Sequence, residues 1–357
     1  MNESLSEGVE ICMATLYLTE QYSLVKLEGE ALRVQPSGSR AGQVVRVPLN
    51  KIEQIMVIGD VTLTTPALHE LLVRRIPVHY LTVYGRSCGA LVGDWGKNSG
   101  VRLAQYAFCR DSTRSFAVAR ACIAGKLLNM RTLLLRYARA RDDGEELLDA
   151  AQTIKRCLRE LAKLTPPTDT SDRMHGLGPL LGLEGSGSSA YYGVFGKLLK
   201  GEWSFPGRVK RPPTDPINAL LSFGYTLLTN QVVSLVHAVG LDPGLGVLHQ
   251  PGFGKPALAL DLVECFRPII VDSIVVTMIN TGQIGGEDFE AELGAYRLKD
   301  KPRRTFLEKF EARMSEVVQH PLFGYRVNYR RCVELQARIF AKHAQGEVER
   351  YIPFTVR

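Results

Sequence analysis

Two carboxylates, Asp261 and Glu264, sit inside a strongly apolar helical run, ALALDLVECFRPIIVDSIVVTMIN, which begins at Ala257. Three positions apart, they share one helical face about a turn from each other. Leu260, Val263, Ile270 and Ile274 make most of the remaining surface apolar. An ionised carboxylate in such surroundings is costly unless it is paired or binds a metal. Both explanations have a candidate nearby. Arg267 could form a structural ion pair with one acid. His249, presented upstream by the Gly/Pro-rich loop GLGVLHQPGFGKP (244–256), could join the acids around a cation. Imidazole and carboxylate without thiolate suit a Mn²⁺-like ion better than a structural zinc. Three such ligands leave open positions for water and phosphate oxygens, as metal-assisted phosphodiester chemistry requires. Pro268 lacks an N–H, so the carbonyl of Glu264 should lose its intrahelical partner and the helix should kink there.

Three further stretches bear on the same chemistry. LGLEGSGSSAYYGVF (181–195) has the composition of a flexible Gly/Ser linker. Yet Glu184, Tyr191, Tyr192 and Phe195 keep a spacing compatible with helical turns, and its small residues could allow close helix packing. In GRVKRPPTDPINALLS (207–222), Arg208, Lys210 and Arg211 form a basic loop ending at Pro212-Pro213. Asp215 or Thr214 then caps a helix with Pro216 in its first turn. That loop could grip phosphates or be a solvated turn. RLKDKPRR (297–304) and RVNYRR (326–331) are candidates for contacts to a nucleic-acid backbone.

The elements that must position these residues fall into two patterns. From Ala14 to about Val92, short runs rich in β-branched and aromatic residues are punctuated by Gly, Pro and Asn, as in SLVKLEG, QVVRVPL and IEQIMVIG. One helix interrupts them, with Thr64 or Thr65 as cap, Pro66 in the first turn and Pro77 as stop. GDWGKNSG (93–100) reads as a linker. Beyond it, helical spacing dominates at 101–141, 145–164, 215–239, 257–280, 303–319 and 328–345. The expected fold is α+β in two domains: a flexible lead-in over 1–12, a β-rich domain over 13–95 and an all-α domain over 96–357.

The net charge is +7 over 357 residues, and it is uneven. Residues 1–95 hold 8 Lys and Arg against 10 Asp and Glu, and the rest hold 36 against 27. A basic surplus confined to the helical part is expected of a domain that meets a polyanion. The seven cysteines form no CxxC pair, which argues for reduced thiols in the cytoplasm. No apolar run is expected to span a bilayer. The longest considered, 269–280, is short and contains Asp272.

Taken together, LEGSGSSAYYGVF, RPPTDPINALLSFGYTLLTN and GLDPGLGVLHQPGFGKPALALDLVECFRP closely resemble motifs of the CRISPR-associated spacer-acquisition integrase family. ELQAR (334–338) and the N-terminal stretch VPLNKIEQIMVIGDVTLTTPALHELLVRRIPVHYLTVYGR extend the resemblance over nearly everything from Ala14 onward. It implies a β-rich dimerisation domain and a helical catalytic domain with a divalent cation, Mn²⁺ or Mg²⁺. By motif, the metal ligands are Glu184, His249 and Glu264, with Asp261 as a catalytic companion one turn before Glu264. Glu184 thereby becomes a ligand inside a helix. Tyr191 and Asn218 match further motif positions. With Arg208, Lys210, Arg211, Lys255 and Arg267, they make up the expected DNA-binding set. The family pattern is HGRPSLALDL where this chain has FGKPALALDL. Phe253, Lys255, Ala257 and, further on, Cys265 are the departures, and none removes an expected ligand.

The implied activity is metal-dependent DNA cleavage and the joining of prespacer 3′-hydroxyls to the CRISPR repeat. The implied partners are double-stranded DNA, a second copy of the chain and a small ferredoxin-like adaptation protein. Some systems add a prespacer-trimming nuclease, to which residues 1–12 could be a remnant junction. Two rivals are a non-enzymatic nucleic-acid scaffold and a phosphohydrolase of small phosphoesters.

Overall fold

The computed structural model describes residues 9–12, 15–37, 44–93, 98–141, 143–166, 173–209, 212–292 and 294–356, with the backbone alone at 9–12 and 173–175. The chain divides into two compact units, Met1–Trp95 and Gly96–Arg357.

Among the described residues, the first unit holds nine strands: β1 (Val9–Cys12), β2 (Thr15–Leu18), β3 (Leu24–Glu28), β4 (Ala31–Gln35), β5 (Val45–Pro48), β6 (Gln54–Ile58), β7 (Thr62–Leu63), β8 (Val78–Leu81) and β9 (Ser87–Leu91). They form a mixed five-stranded sheet, order β1-β2-β6-β8-β9, and a four-stranded sheet, order β5-β4-β3-β7. Strand β6 lies between two parallel neighbours, β2 and β8, and all five of its residues are buried. This is the pattern of a strand covered on both faces. The helix α1 (Thr65–Val73) lies between β6 and β8 in sequence, with Pro66 in its first turn. Leu18, Val25, Leu32, Val47, Ile55, Leu71 and Val78 belong to one core shared by both sheets and α1. Reading residues 1–12 as an unstructured lead-in fails for the last four, which pair antiparallel with β2, Val9 opposite Leu18. A strand this short draws its stability from its partner, so its own sequence carries little signal.

The second unit contains α2 (Ser99–Arg110), α3 (Ser112–Arg139), α4 (Glu145–Lys163), α5 (Arg173–Phe195), α6 (Pro216–Val239), α7 (Ala257–Val263), α8 (Ser273–Asn280), α9 (Asp300–Ser315) and α10 (Tyr329–Ala344). The expected single helix over 101–141 is two, because the carboxylate of Asp111 accepts from Arg114 N and caps α3. The expected helix over 257–280 is interrupted where proline predicts, and Pro268–Asp272 makes a π-helical turn between α7 and α8. The unit is not all-α. Strands β10 (Phe289–Glu292) and β11 (Ala295–Leu298) form a hairpin, as do β12 (Val317–Gln319) and β13 (Arg326–Asn328). In the first hairpin Gly294 takes φ +76°, and Glu290 is opposite Arg297 with a 2.5 Å ion pair. Cross-strand pairing of this kind is invisible to a search for helical spacing.

Helix α6 corrects another expectation. By length and composition it is apolar enough to cross a membrane, yet 61% of its most apolar stretch is buried, and it packs against α7, α10 and β11. Helix α5 packs on α3 and α4. Leu177, Leu180, Gly187, Tyr191 and Phe195 form its buried stripe. Gly187 belongs there for a steric reason, since a Cβ would lie 2.5 Å from a methyl of Leu127.

Candidate functional site

Four elements of the helical unit converge on one place. Helix α3 contributes Lys126, α5 contributes Glu184, the loop before α7 contributes His249, and α7 with its terminus contributes Asp261 and Glu264. Asp261 is fully buried, and both of its oxygens face the loop. Oδ2 accepts from Val247 N and Leu248 N, the latter at 3.0 Å. Oδ1 accepts from His249 N at 2.8 Å and lies 2.7 Å from His249 Nδ1. A carboxylate among these donors only accepts, so Nδ1 carries the imidazole proton and Nε2 presents its lone pair. Nε2 lies 3.9 Å from Glu264 Oε1. The loop approaches α7 this closely because residue 246 is glycine. A Cβ there would lie 2.4 Å from Asp261 Oδ2 and 2.7 Å from the backbone carbon of Ala257.

Glu264 has two cationic partners. Arg267 Nη1 is 2.6 Å from Oε1, and Lys126 Nζ is 2.9 Å from Oε2. The same ammonium pairs with Glu184, so Lys126 bridges the two glutamates. Burial alone would push the Glu264 carboxyl up, but the charges of Arg267 and Lys126 outweigh it and hold it at about 2. For Lys126 burial works toward the neutral amine, and the two glutamates outweigh it, so its pKa is raised. The Glu264–Arg267 pair expected from sequence is therefore present, and Lys126 is the partner that sequence did not supply. Its signal was position: it lies three residues after Ile123 and four before Met130 on the buried stripe of α3. Asn129, one turn on, donates to the carbonyls of Cys265 (2.7 Å) and Phe354 (3.0 Å), and fixes the chain just beyond Glu264.

The expected DNA-binding residues fare unevenly. Lys210 and Arg211 lie outside the described residues. Lys255 is half-buried in a tight turn closed by a Gly252–Lys255 bridge, next to the fully exposed Phe253. Asn218 and Tyr191 are buried completely, which corrects their expected role. Asn218 Oδ1 accepts from Arg208 Nη1 (2.7 Å) and Val209 N (3.0 Å), and its amide donates to Gly207 O and to Asp215, the cap of α6. It pins the basic loop and does not face solvent. Among the more general basic clusters, Arg303 and Arg330 are also largely buried, paired with the exposed Asp300 and the buried Glu311.

Tyr191 donates to Asp272 Oδ2 at 2.8 Å, and Tyr225 to Oδ1 at 2.5 Å. The guanidinium groups of Arg208 and Arg267 lie 5.3 and 5.0 Å from the centre of the Tyr225 ring. Burial pushes the Asp272 carboxyl up to about 6, against the pull of Tyr225, Tyr191, Arg208 and Arg267. Raised above the ordinary 3.8, this group binds more protons in the native state, so its contribution to stability is lost as pH rises from about 4 through 6. The expected result is that Asp272→Asn gains stability relative to the wild type across that window, by about 3 kcal/mol. Paired urea melts at pH 4 and pH 7 measure it.

The donor types of Glu184, His249 and Glu264 (carboxylate oxygen and imidazole nitrogen, without thiolate) fit a hard divalent cation. Among the described residues, no three such side chains stand close enough to hold one as placed. The geometry gives the reason: the Lys126 ammonium occupies the space between the two glutamates, while Asp261 is turned to the loop backbone.

The chain is similar to known proteins over most of its length. Residues 16–312 match the family described as CRISPR associated protein Cas1. A CRISPR-associated exonuclease Cas4/endonuclease Cas1 fusion of Geobacter sulfurreducens is 38% identical over 96% of this chain and 60% of its own length. A similar fusion of Rhodospirillum rubrum is matched over 54% of its length, so this chain spans little more than half of either protein. CRISPR-associated endonuclease Cas1 3 of Thermus thermophilus is 35% identical over 97% of this chain and 98% of its own. Two solved structures share the fold at 24% identity. A casposase bound to integration product has a TM-score of 0.81 and covers 95% of this chain and 93% of its own. A CAS1 protein from Thermotoga maritima has a TM-score of 0.77 and covers 93% and 97%. With a family match across most of its length and full-length relatives above 30% identity, this chain belongs to the Cas1 family of CRISPR-associated proteins.

Proposed function

We propose that this chain is a divalent-metal-dependent DNA endonuclease and integrase of CRISPR adaptation, acting through Glu184, His249 and Glu264. One observation carries the reading. Three ligand-type side chains from separate segments meet through Glu264, which shares the Lys126 ammonium with Glu184 and lies 3.9 Å from His249 Nε2, and a further acid, Asp261, orients the histidine. Asp261 holds the proton on His249 Nδ1 and so reserves Nε2 as a donor, as carboxylates do behind metal-binding histidines. Arg267, which pairs with Glu264, and Arg208, which lies over the same Tyr225 ring, would receive a phosphate. When bound, Mn²⁺ or Mg²⁺ would supply Lewis-acid polarisation of the scissile phosphodiester.

In strand transfer, a 3′-hydroxyl oxygen forms a new P–O bond to a repeat phosphate as the bond to the displaced 3′-oxygen breaks. The attacking hydroxyl loses its proton to solvent and the departing oxygen gains one. With water as nucleophile the same displacement is cleavage. Basic side chains of the helical unit would grip the backbone, so binding weakens steeply with salt.

The reading extends to partners. Solved neighbours include a Cas6-RT-Cas1–Cas2 complex (25% identity, TM-score 0.79, 96% of this chain and 36% of that one), which supports a small Cas2-type partner. The Cas4/Cas1 fusions support association with a trimming nuclease. The N-terminal unit would mediate dimerisation, and the protein would work in the cytoplasm.

The test uses the full chain with and without the Cas2-type partner, a short duplex with free 3′-hydroxyls and a repeat-bearing supercoiled plasmid, in Mn²⁺ and in EDTA. Joined product is expected with Mn²⁺ alone. DNA binding with no joining or cutting under any of these conditions would establish a non-enzymatic scaffold instead.

A further inference from the structure

Lys126 is a buried charged group at the site that the proposed reaction leaves without a task. Its side chain is 8% exposed, and its ammonium contacts both expected glutamate ligands, Glu184 and, at 2.9 Å, Glu264 Oε2. The partnership is built into the framework. Lys126 projects from the middle of α3, and Asn129, one turn on, ties α3 to the carbonyl of Cys265, beside Glu264. Two glutamates, Lys126 and Arg267 together make a neutral cluster. A divalent cation added between the glutamates leaves the ammonium facing two like charges at contact distance, while its anionic partners turn to the metal.

We infer that Lys126 is a tethered counter-cation: it holds Glu184 and Glu264 together in the metal-free protein and is the group a divalent cation must displace. This rests on the metal-site reading above and adds a competition internal to the chain. Three consequences follow for the molecule. The metal-free fold avoids leaving Glu184 without a cationic partner beside a buried Glu264 held by Arg267 alone, two carboxylates that would otherwise repel. Metal affinity is set lower than the bare ligands would give. The displaced ammonium, on a flexible stem, is released beside the site where a phosphate would lie.

The test compares the wild type with Lys126→Met, which keeps the stem and removes the charge. In EDTA, K126M should melt at a lower temperature, and Mn²⁺ should raise its melting temperature more than that of the wild type. Calorimetric titration should show Mn²⁺ binding K126M at least about tenfold more tightly, the size of effect that neighbouring side chains exert on metal affinity. Equal or weaker binding by K126M overturns the Lys126 proposal and leaves the metal site standing. Absence of Mn²⁺ binding by both proteins overturns both readings. A second measurement needs no variant and covers a K126M that does not fold. An amine-reactive label should modify Lys126 of the wild-type chain several-fold faster in Mn²⁺ than in EDTA, relative to its surface lysines. Unchanged or slower labelling overturns the displacement.

Discussion

Glu264→Gln should reduce metal-dependent strand transfer by about a hundredfold or more, the scale seen when one group that stabilises a transition state is removed. Glu264 is the most heavily engaged group of the site. Its side chain is 4% exposed and it faces Arg267, Lys126 and His249 at once. Glutamine keeps the shape and removes the charge, leaving two buried cations with one fewer anion. Losing one partner of a buried pair costs about 3–5 kcal/mol, so the melting temperature should fall as well. Duplex binding should stay within a few-fold of wild type, because the surface basic residues are untouched. Joining, melting and filter binding measured on one preparation separate the effects. Near-normal joining by folded E264Q would remove Glu264 from the site. The acid side of the stability profile follows from the same contacts. Held at about 2, below the ordinary 4.5, this carboxylate contributes stability that is complete above 4.5 and lost as pH falls toward 2.

Asp261→Asn should produce the second large effect, by a different route. The carboxylate accepts the N–H groups of Val247, Leu248 and His249 and the Nδ1 proton of His249. An amide has one acceptor oxygen, and its NH₂ would point a donor at donors. Each buried N–H left without a partner costs about 1–3 kcal/mol, so the loss should reach several kcal/mol. The His249 ring would also lose the bond that fixes its tautomer. Strand transfer should drop by about 10–100-fold, with Mn²⁺ affinity reduced over a similar range, as expected of a group acting behind a ligand. Complete loss of Mn²⁺ binding in a folded D261N would make Asp261 itself a ligand. Unchanged activity would deny it any positioning role.

Part of this site was legible in the residues themselves. Acids in an apolar helical run are conspicuous because burial penalises charge, but the pattern left an ion pair with Arg267 as open as a metal, and Glu184 and His249 were marked as ligands by the family resemblance. The caps of α3 and α6 differ in this respect: Asp215 was one of two expected caps before Pro216, with Thr214, whereas the Asp111 cap that splits residues 101–141 was not expected. Pro268 marked the interruption correctly, though its resolution as a π-helical turn depends on packing around Asp272.

What escaped the sequence depends on contacts between distant segments. Lys126 and Glu264 are far apart in sequence, and a lysine within an arginine-rich helix draws no notice until α7 is seen against it. By composition alone helix α5 reads as a linker, because Gly187 takes a place on its buried stripe, where a side chain would collide with Leu127, and only the family resemblance made it a helix. Composition counts such a glycine as flexibility, whereas the close approach of α3 requires it. Tyr191 and Asn218 were selected as residues that matter, and they do engage the site's surroundings, but from inside. One donates to Asp272 and the other pins Arg208. Motif position identifies such residues without saying which way they face.

The central claim, that Glu184, His249 and Glu264 together hold a divalent cation, is tested most directly by pulsed electron paramagnetic resonance of Mn²⁺ added to the full-length chain. One bound Mn²⁺ coupled to an imidazole nitrogen is predicted, with the nitrogen coupling lost in His249→Ala and binding itself weakened in Glu264→Gln. Mn²⁺ bound without nitrogen coupling, or coupling that survives in His249→Ala, would contradict it.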